Sequence, residues 1–460
     1  MNLDLAASKK WFAENREPIL SDYFDFLRFK TIATDPAYHD ECQKCAEWLV
    51  SYLQGIGLEA TLWETSGQPV VFASHLEAGE ARPTLLVYHH YDVQPIDPLE
   101  LWKSDPFEPT IRDNKVYARG AQDNKGQCFY SIAAIKALLQ SAKEIGFNLK
   151  VFIEGEEESG SSGTKDVFAS RQQELKSDYL LVVDSGIPAK GVPAITLGMR
   201  GIITAEVKAR GSNEDLHSGT FGGIVYSPLR ALTEALSSLW DPSGKITIPG
   251  FYDDVKDYSK EELELIDTEV DQNRLQKEAG LRAFAPEPGY TIGQSGSIRP
   301  TVEINGLSGG YTGEGFKTVI PAVASAKISC RLVSEQNPEK VAASLKEYLL
   351  GKFPKGMEVE VEIDQGAAPF RCNQNSPIAK VAATAYEEVM GKPCKSIMGG
   401  GSVPIVSELA KATGAESLAI GYGLDSDLIH APNEHFGLDR FELGFLTMGR
   451  IFSRLYEERK

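Results

Sequence analysis

Three short apolar runs, each followed by acidic or histidine side chains, constrain the fold of this chain more than any other feature. They are TLLVYHHYDV at 84–93, LKVFIEGEEE at 149–158 and DYLLVVD at 178–184, and a helical pattern covers about 125–142. Short strands that alternate with amphipathic helices predict an α/β fold with a mainly parallel sheet and helices on both faces. Ligands of such sheets bind beyond the carboxyl ends of the strands. We therefore expect the functional site where these runs end.

The pattern changes from about residue 200. The segments IITAEVKARG, ASAKISCRLV and GMEVEVEID alternate apolar and polar residues with a period of two, which is typical of half-exposed strands. Two segments with helical spacing, SPLRALTEALSSLW and NPEKVAASLKEYLLGKF, accompany them. Strands with two helices predict a small α+β lid. The segment 250–300 is polar and interrupted by Gly and Pro, and its structure stays unassigned.

The first pattern returns after residue 370, in the helical SPIAKVAATAYEEVMG and the strand-like ESLAIGYG. A chain of 460 residues is longer than one hydrophobic core normally supports, so about two domains are expected. We predict an α/β domain that carries the site, formed by residues 1–198 and 371–460. The smaller α+β domain at 199–370 interrupts it.

The charge balance excludes several classes of function. The chain has 47 Lys and Arg residues against 65 Asp and Glu residues, a formal net charge of -18 at pH 7. That sign is wrong for a protein that neutralises phosphates or lies on an anionic membrane. Neither nucleic acid nor a membrane is therefore expected as a partner.

The N-terminal sequence and the cysteines predict a cytoplasmic protein. The first 20 residues contain scattered charges and no apolar run as long as a signal peptide or membrane span requires. The six cysteines lack the density of a disulfide-stapled secreted domain and are interpreted as reduced thiols. Cys42 and Cys45 form a C-x-x-C within a helical pattern, without a second Cys or His pair nearby. We interpret them as ordinary helix residues rather than as a zinc or redox site.

Histidine and carboxylate side chains collect at the predicted strand ends. His90 and Asp92 stand two residues apart at the end of a strand, so their side chains point the same way. Asp123 lies in a Gly-bounded loop that opens a helix, where an acid can also serve as an N-cap. The three consecutive carboxylates at 156–158 repel one another unless cations are close. Asp184 ends the third run, and His430 lies in a late polar loop, LDSDLIHAPNEHF.

Each of these residues alone is also explained as a cap, turn or loop residue. So many histidine and carboxylate side chains at strand ends are not expected by chance. We predict a site for divalent metal ions. Two imidazole nitrogens among several carboxylates suit zinc, with manganese or cobalt as substitutes. Two ions that share a bridging carboxylate can hold a water and lower its pKa to about 7. A further carboxylate beside the ligands can then act as general base.

Taken in order, the motifs resemble those of the M20 metallopeptidases, and within them those of the carnosinase and cytosolic non-specific dipeptidase branch. The resemblance spans nearly the whole chain and is carried by HYDVQP, ARGAQDNKG, EGEEESGS, DYLLVVD, DLHSGTFGG, FKTVIP with ISCRLV, GGGSVP and the late His430. It implies metal-dependent hydrolysis of the peptide bond of dipeptides or short peptides by a water that bridges the two ions.

The resemblance also implies a role for each matching residue. Five residues would hold the metal ions, with His90 and Asp184 on one, Glu158 and His430 on the other and Asp123 bridging both. Asp92 would orient His90, as carboxylates behind metal-bound imidazoles do. Glu157 would be the general base. The motif E-G-x-E-E-S-G-S pairs Glu157 with Glu158 and leaves Glu156 as a solvated spare.

In the predicted lid, the resemblance implies that His217 of DLHSGTFGG reaches in from a partner subunit to stabilise the oxyanion of the tetrahedral intermediate. Such a donor contributes about 10²- to 10³-fold in rate, and the role implies a homodimer formed through the lid. Arg331, Thr318 and Ser402 would bind the free carboxylate of the substrate, for which Arg offers a bidentate fork. A surface-loop role for His217 and a solvent-facing strand position for Arg331 are the alternatives.

One departure from the family pattern bears on the substrate. Animal carnosinases carry a His in an H-G-A-x-P-W stretch, where this chain reads QGAAPF with Gln365, so a preference for carnosine is not implied. Asp rather than Glu at position 184 favours a peptidase over an N-acyl amino-acid deacylase of the acetylornithine deacetylase or succinyl-diaminopimelate desuccinylase type, which is the alternative. A catalytically inactive relative is a further alternative, against which Glu157 and the complete ligand set argue.

Overall fold

A computed structural model of the chain describes residues 4–142, 144–267, 270–364, 366–401 and 404–457. The chain forms two compact units. The first comprises Met1–Leu197, Arg371–Ile397 and Ile405–Lys460, and the second comprises Gly198–Phe370 and Met398–Pro404. Within the described segments, no helix combines the length and the apolar character needed to cross a membrane.

Helices and strands alternate along much of the chain. The α-helices are α1 (Leu5–Arg28), α2 (His39–Gly55), α3 (Lys125–Ser141), α4 (Asp166–Ser170), α5 (Gln172–Leu175), α6 (Ser218–Phe221), α7 (Pro228–Ser237), α8 (Lys260–Leu265), α9 (Gln272–Ala279), α10 (Ile292–Ser297), α11 (Pro338–Leu350), α12 (Pro377–Met390), α13 (Pro404–Thr413) and α14 (Leu438–Glu457). The β-strands are β1 (Glu59–Trp63), β2 (Val70–His75), β3 (Thr84–His90), β4 (Thr110–Arg112), β5 (Lys115–Tyr117), β6 (Asn148–Glu154), β7 (Tyr179–Val183), β8 (Ala194–Met199), β9 (Gly201–Arg210), β10 (Leu216–His217), β11 (Ile266–Asp267), β12 (Thr301–Gly309), β13 (Val319–Ile320), β14 (Val323–Leu332), β15 (Glu358–Ile363), β16 (Phe370–Arg371), β17 (Lys395–Gly399), β18 (Glu416–Ile420) and β19 (His435–Gly437).

The largest sheet lies in the first unit, where its strands follow the order β1-β2-β6-β3-β7-β18-β8. The four central strands β6, β3, β7 and β18 are parallel. The flanking pairs β1–β2, β2–β6 and β18–β8 are antiparallel. The predicted α/β fold class is confirmed, and the parallel pairing that we expected throughout most of the sheet is confined to its centre, so the sheet is mixed.

The apolar character of the central strands follows from their burial. All seven residues of β6 are buried, as expected for a parallel strand covered on both faces. The adjoining helix α3 is also buried along most of its length. Its first residue, Lys125, donates from Nζ to the carbonyl oxygens of Phe26 (3.1 Å) and Phe29 (2.7 Å) at the end of α1. This contact holds the start of α3, and the loop before it, against α1.

The parallel register brings the carboxyl ends of the central strands to one edge of the sheet. His90, the last residue of β3, is paired with Glu154, the last residue of β6. Ile420, the last residue of β18, is paired with Val183 at the end of β7. The loops that follow these strands therefore start side by side, and the functional side chains predicted in the first unit lie at these strand ends, in these loops or just before α3.

The second unit contains an antiparallel sheet with the order β12-β14-β9-β15. Ile203 and Val207 of β9 pack in one core with Leu232 of α7 and Leu345 of α11. One face of the sheet is therefore covered by helices, which explains the period of two in the sequence. The previously unassigned segment 250–300 contains the short helices α8, α9 and α10.

Candidate active site and metal centre

The five predicted metal ligands lie together in the first unit. They form two sets whose potential ligand atoms lie within 4.8 Å of one another, the His90 group of His90, Asp123 and Asp184 and the His430 group of Asp123, Glu158 and His430. Asp123 belongs to both groups, because its Oδ1 lies 3.2 Å from Nε2 of His90 and its Oδ2 lies 3.0 Å from Nε2 of His430. The geometry thus places one carboxylate between two ligand sets.

The donor atoms fit divalent metal ions. Each group offers one imidazole nitrogen and two carboxylates, a combination that suits zinc and related first-row ions and leaves room for further ligands. Nδ1 of His90 lies 3.1 Å from the carbonyl oxygen and 3.3 Å from Oδ1 of Asp92. Nε2 of His90 is buried and has no hydrogen-bond partner within the described segments. Donation from Nδ1 leaves the lone pair on Nε2, which is the atom that faces Asp123 and Asp184.

The carboxylates of the site are crowded. The pKa of Asp184 is raised to about 7, chiefly by burial and also by the charges of Asp123 and Glu158, while His90 opposes the rise. Burial and the charge of Asp123 also raise the pKa of Glu158 above its usual value. Crowded acids of this kind are relieved by a cation, because a divalent ion favours the charged form of each carboxylate.

Glu157 stands beside the ligands without belonging to either group. It begins the 3-10 turn Glu157–Ser159 after β6 and is half-buried. Burial raises the pKa of its carboxyl group well above the usual range, and the negative charges of Asp184 and Glu158 act in the same direction, while His90 opposes them. A carboxylate of raised pKa is a stronger base than an exposed one.

Asp92 connects the ends of two strands. Its side chain is fully buried, and besides its contact with His90 it accepts hydrogen bonds from the backbone N–H groups of Glu157 (3.2 Å) and Glu158 (3.0 Å). The carboxylate therefore orients the imidazole of His90 and also holds the turn that carries the paired glutamates.

Glu156, expected to be a solvated spare, is only partly exposed and accepts specific hydrogen bonds. Its Oε2 accepts hydrogen bonds from the backbone N–H groups of Gly163 (2.8 Å) and Thr164 (3.2 Å). A β carbon on Gly67 or Gly163 would lie within 2.5 Å of the Glu156 carboxylate. The chain after the glutamate pair folds back over this side chain, so Glu156 organises the turn.

Two supporting residues were not singled out from the sequence. Asn124 donates from Nδ2 to Oδ1 of Asp184 (2.8 Å) and to the carbonyl oxygen of Val183 (2.9 Å). Gln94 donates from Nε2 to Oε2 of Glu158 (2.7 Å). Both lie inside the motifs QDNKG and HYDVQP, and their position next to predicted ligands was the available signal.

The structure places His217 and Thr318 together in the second unit. The backbone N–H of Ser218 donates to the carbonyl oxygen of Thr318 (3.0 Å), and His217 pairs with Val319 between β10 and β13. Nδ1 of His217 accepts a hydrogen bond from the backbone N–H of Gly219 (3.1 Å). The ring proton is therefore on Nε2, and the side chain is exposed.

Arg331 lies on β14, also in the second unit, and is half-buried. Together with Thr204, Lys327 and Ser329 it lines a cavity of about 670 Å³. Burial lowers the pKa of its guanidinium group, which stays charged at neutral pH. Ser402 and Gln365 lie outside the described residues.

Cys42 and Cys45 are both buried in α2. Burial raises the pKa of each thiol to about 12. Because the thiolate is the form that binds metal and reacts with disulfides, neither thiol is suited to those roles. The interpretation of this C-x-x-C as ordinary helix residues agrees with the structure.

Comparison with known proteins agrees with the motifs. The chain matches the model of peptidase family M20/M25/M40 over residues 86–454. It is 30% identical over 400 residues to the Beta-Ala-His dipeptidase of Rattus norvegicus, covering 84% of this chain and 81% of that protein. It is 31% identical over 378 residues to the Cys-Gly metallodipeptidase dug1 of Schizosaccharomyces pombe, covering 79% of this chain and 78% of that protein.

The fold is similar to a solved structure across nearly its whole length. The crystal structure of an M20 family metallo-carboxypeptidase, Sso-CP2 from Sulfolobus solfataricus, has a TM-score of 0.85 and 32% sequence identity, and the match covers 95% of this chain and 99% of that chain. The family resemblance predicted from the motifs is thereby confirmed. With a family model matched over most of its residues and relatives matched over most of their length, the chain belongs to peptidase family M20/M25/M40.

Proposed function

We propose that this protein is a dinuclear metallodipeptidase that hydrolyses the peptide bond of unblocked dipeptides. The observation that carries the proposal is the position of Asp123 between the His90 group and the His430 group, with Glu157 beside both. Membership of a peptidase family supports hydrolysis of a peptide bond. The names of the two relatives, Beta-Ala-His dipeptidase and Cys-Gly metallodipeptidase, support a dipeptide substrate and do not favour the deacylase alternative.

The metal ions supply one part of the chemistry and the chain supplies the rest. Two divalent ions, which we propose are zinc with manganese or cobalt as substitutes, lower the pKa of a bound water to about 7 when they are present. Glu157 accepts a proton from the attacking water and returns it to the leaving amine. Asp92 keeps the imidazole of His90 in place, and Asn124 does the same for the carboxylate of Asp184.

The second unit supplies the groups that recognise the substrate in this proposal. Arg331 binds the free carboxylate of the dipeptide through its guanidinium fork, with Thr318 and Ser402 as further donors. His217 of a partner subunit donates from Nε2 to the developing oxyanion. The hydrogen bond that its Nδ1 accepts from Gly219 supports this role, because it leaves Nε2 protonated.

We propose that the second unit, as the lid domain of residues 199–370, also forms the contact of a homodimer. Several apolar side chains there are exposed, with Phe316 fully exposed, Ile224 76% exposed and Leu307 53% exposed. Leu307 belongs to β12, which is an edge strand of the four-stranded sheet. Exposed apolar patches and open sheet edges are common sites of protein association.

We propose that the protein works in the cytoplasm. All six cysteines are free thiols. Free thiols persist in reducing compartments, whereas oxidising compartments favour disulfides.

The proposal is tested by amino-acid release from a panel of unblocked dipeptides, longer peptides and N-acetyl or N-succinyl amino acids. The protein is first stripped of metal and then reloaded with Zn²⁺ or Mn²⁺. We expect release from the unblocked dipeptides with either ion and none without metal. Release of only the C-terminal residue from longer peptides would point to a carboxypeptidase, cleavage of the acylated compounds alone would point to a deacylase, and no cleavage at all would refute the proposal.

A further inference from the structure

Glu434 is a fully buried carboxylate that accepts four hydrogen bonds. Its Oε2 accepts from Nη1 of Arg119 (2.8 Å) and from the backbone N–H of Gly120 (2.9 Å). Its Oε1 accepts from the backbone N–H groups of Gln122 (3.0 Å) and Asp123 (3.1 Å). Both oxygens are therefore used, and three of the four donors belong to the turn that ends at Asp123.

These hydrogen bonds connect the two loops that supply Asp123 and His430. Glu434 follows His430 by four residues in the same loop. Its own carbonyl oxygen accepts from the backbone N–H of Ala118 (3.2 Å), and the ladder continues with His435 paired to Tyr117 between β19 and β5. The loop of His430 is thus joined to the turn of Asp123 by both main-chain and side-chain contacts.

The turn at 120–123 needs an acceptor in this place. Gly120 has φ +83°, a conformation that favours glycine, and a β carbon there would lie 2.7 Å from Cγ1 of Val93. In this tight turn the backbone N–H groups of Gly120, Gln122 and Asp123 all face the carboxylate of Glu434. Buried backbone N–H groups are almost always paired, and a carboxylate with two acceptor oxygens can serve all three together with the guanidinium of Arg119.

We propose that Glu434 is a positioning residue that holds Asp123 and the loop of His430 at the separation required for two metal ions, and so sets the metal affinity of the site. The inference rests on the proposed function in one respect, because it takes Asp123 and His430 as ligands. Glu434 itself acts through the backbone of Asp123. A glutamine at this position keeps the size of the side chain, but it has one acceptor oxygen instead of two and turns an amide N–H group towards other donors.

The test compares Glu434→Gln with the parent protein. We expect the variant to keep the parent circular dichroism spectrum and to bind Zn²⁺ about 10- to 100-fold more weakly in competition with a chromophoric chelator. The visible absorption bands of the Co²⁺-loaded variant should also differ from those of the parent, because they report ligand geometry. Glu434→Asp keeps the charge on a shorter side chain that cannot reach all four donors, and we expect it to weaken Zn²⁺ binding as well.

Glu287→Gln is the matched control. Glu287 forms an ion pair with Arg299 (2.7 Å), both side chains are at least 88% buried, and the pair belongs to the second unit, whereas the two ligand loops belong to the first. We expect this variant to keep the parent Zn²⁺ affinity. An equal loss of affinity in Glu287→Gln would mean that any lost ion pair weakens metal binding, and the proposal would be overturned.

Two further measurements separate the possible outcomes. If both Glu434 variants bind Zn²⁺ as tightly as the parent and have the parent Co²⁺ spectrum, the positioning role is overturned. If Asp123→Asn binds Zn²⁺ as tightly as the parent, the ligand assignment itself has failed. Amide hydrogen exchange in the metal-free parent tests the proposal even if the variants do not fold, because it requires no substitution. We expect slow exchange at 120–123, and exchange as fast as in an exposed loop would overturn the proposal.

Discussion

Nε2 of His430 lies 3.0 Å from Oδ2 of Asp123, although 307 positions separate the two residues along the chain. The other oxygen of the same carboxylate lies 3.2 Å from Nε2 of His90. Asp123 is thus the point where two ligand groups meet. Its replacement affects both groups at once, whereas replacement of Asp184 affects the His90 group alone.

The first prediction concerns the metal content of Asp123→Asn. The amide removes the negative charge and one acceptor oxygen at nearly constant volume, so we expect the purified variant to retain neither metal ion and to lose measurable dipeptidase activity. Asp184→Asn is the comparison, because it should retain the metal ion of the His430 group. Elemental analysis by mass spectrometry checks both, and two retained ions in Asp123→Asn would contradict the bridging position.

The second prediction separates metal binding from proton transfer. Glu157→Gln should bind both metal ions but hydrolyse dipeptides about 10²- to 10⁴-fold more slowly, because general base catalysis contributes that much. The measurement is kcat with the metal-reloaded protein, accompanied by metal analysis. Glu14→Gln, at an exposed carboxylate of α1, is the control that should match the parent. A Glu157→Gln variant as fast as the parent would remove the residue from the mechanism.

The third prediction concerns stability and pH. Glu388 of α12 accepts hydrogen bonds from Arg450 and Arg454 of α14. Burial tends to raise the pKa of Glu388, but the hydrogen bonds from the two arginines outweigh it and lower the pKa below the usual value. A carboxylate with a lowered folded-state pKa stabilises the fold above its unfolded pKa, and this contribution is lost as the pH falls through the folded pKa.

We therefore expect Glu388→Gln to lose about 1 to 3 kcal/mol of stability at pH 7, and to lose less as the pH falls through the folded-state pKa of Glu388. Thermal unfolding of the metal-free protein followed by circular dichroism at a series of pH values measures this difference. A difference in Tm between parent and variant that stays constant with pH would contradict the assignment of the ion pair.

The fourth prediction concerns the surface of the second unit. Replacing Ile224 and Phe316 together by Asp should convert the proposed homodimer to a monomer, because charged side chains oppose the burial of this apolar surface. Metal content should stay the same, whereas activity should fall if His217 acts across the dimer. Sedimentation velocity measures the change. Ile111→Asp, at a position 49% exposed in the first unit, is the control, and a dimer that survives the double replacement would place the contact elsewhere.

The strands and ligands that could be predicted from the sequence share a physical reason. β6 and β7 are short apolar runs because both faces of the central sheet are covered. Their apolar composition therefore predicts buried strands. The direction of β1 relative to its neighbouring strand was not predictable in the same way. The alternation in EATLW indicates a half-exposed strand but carries no information on the neighbour with which it pairs, and the structure shows an antiparallel pair with β2.

The same limit applies within the site. His90 and Asp123 were predicted because they belong to a larger set of histidine and acidic side chains beside the apolar runs, although each alone is also explained as a turn or cap residue. Asn124 and Glu434 are ordinary polar residues until their contacts are known, and those of Glu434 with Gly120 join positions 314 apart in the chain. The contacts of Glu156 could not be predicted for the same reason. The backbone N–H groups of Gly163 and Thr164 reach its carboxylate only in the folded turn.

The long separation between Asp123 and His430 has a consequence for biosynthesis. At about 5 to 20 residues per second, a ribosome takes roughly 15 to 60 s to add the 307 residues that separate them. The nascent chain thus contains all three acidic ligands well before His430 and Glu434 are made. Loading of the second metal ion therefore waits until His430 has been made, and a truncated product that lacks the loop of His430 would carry an incomplete centre.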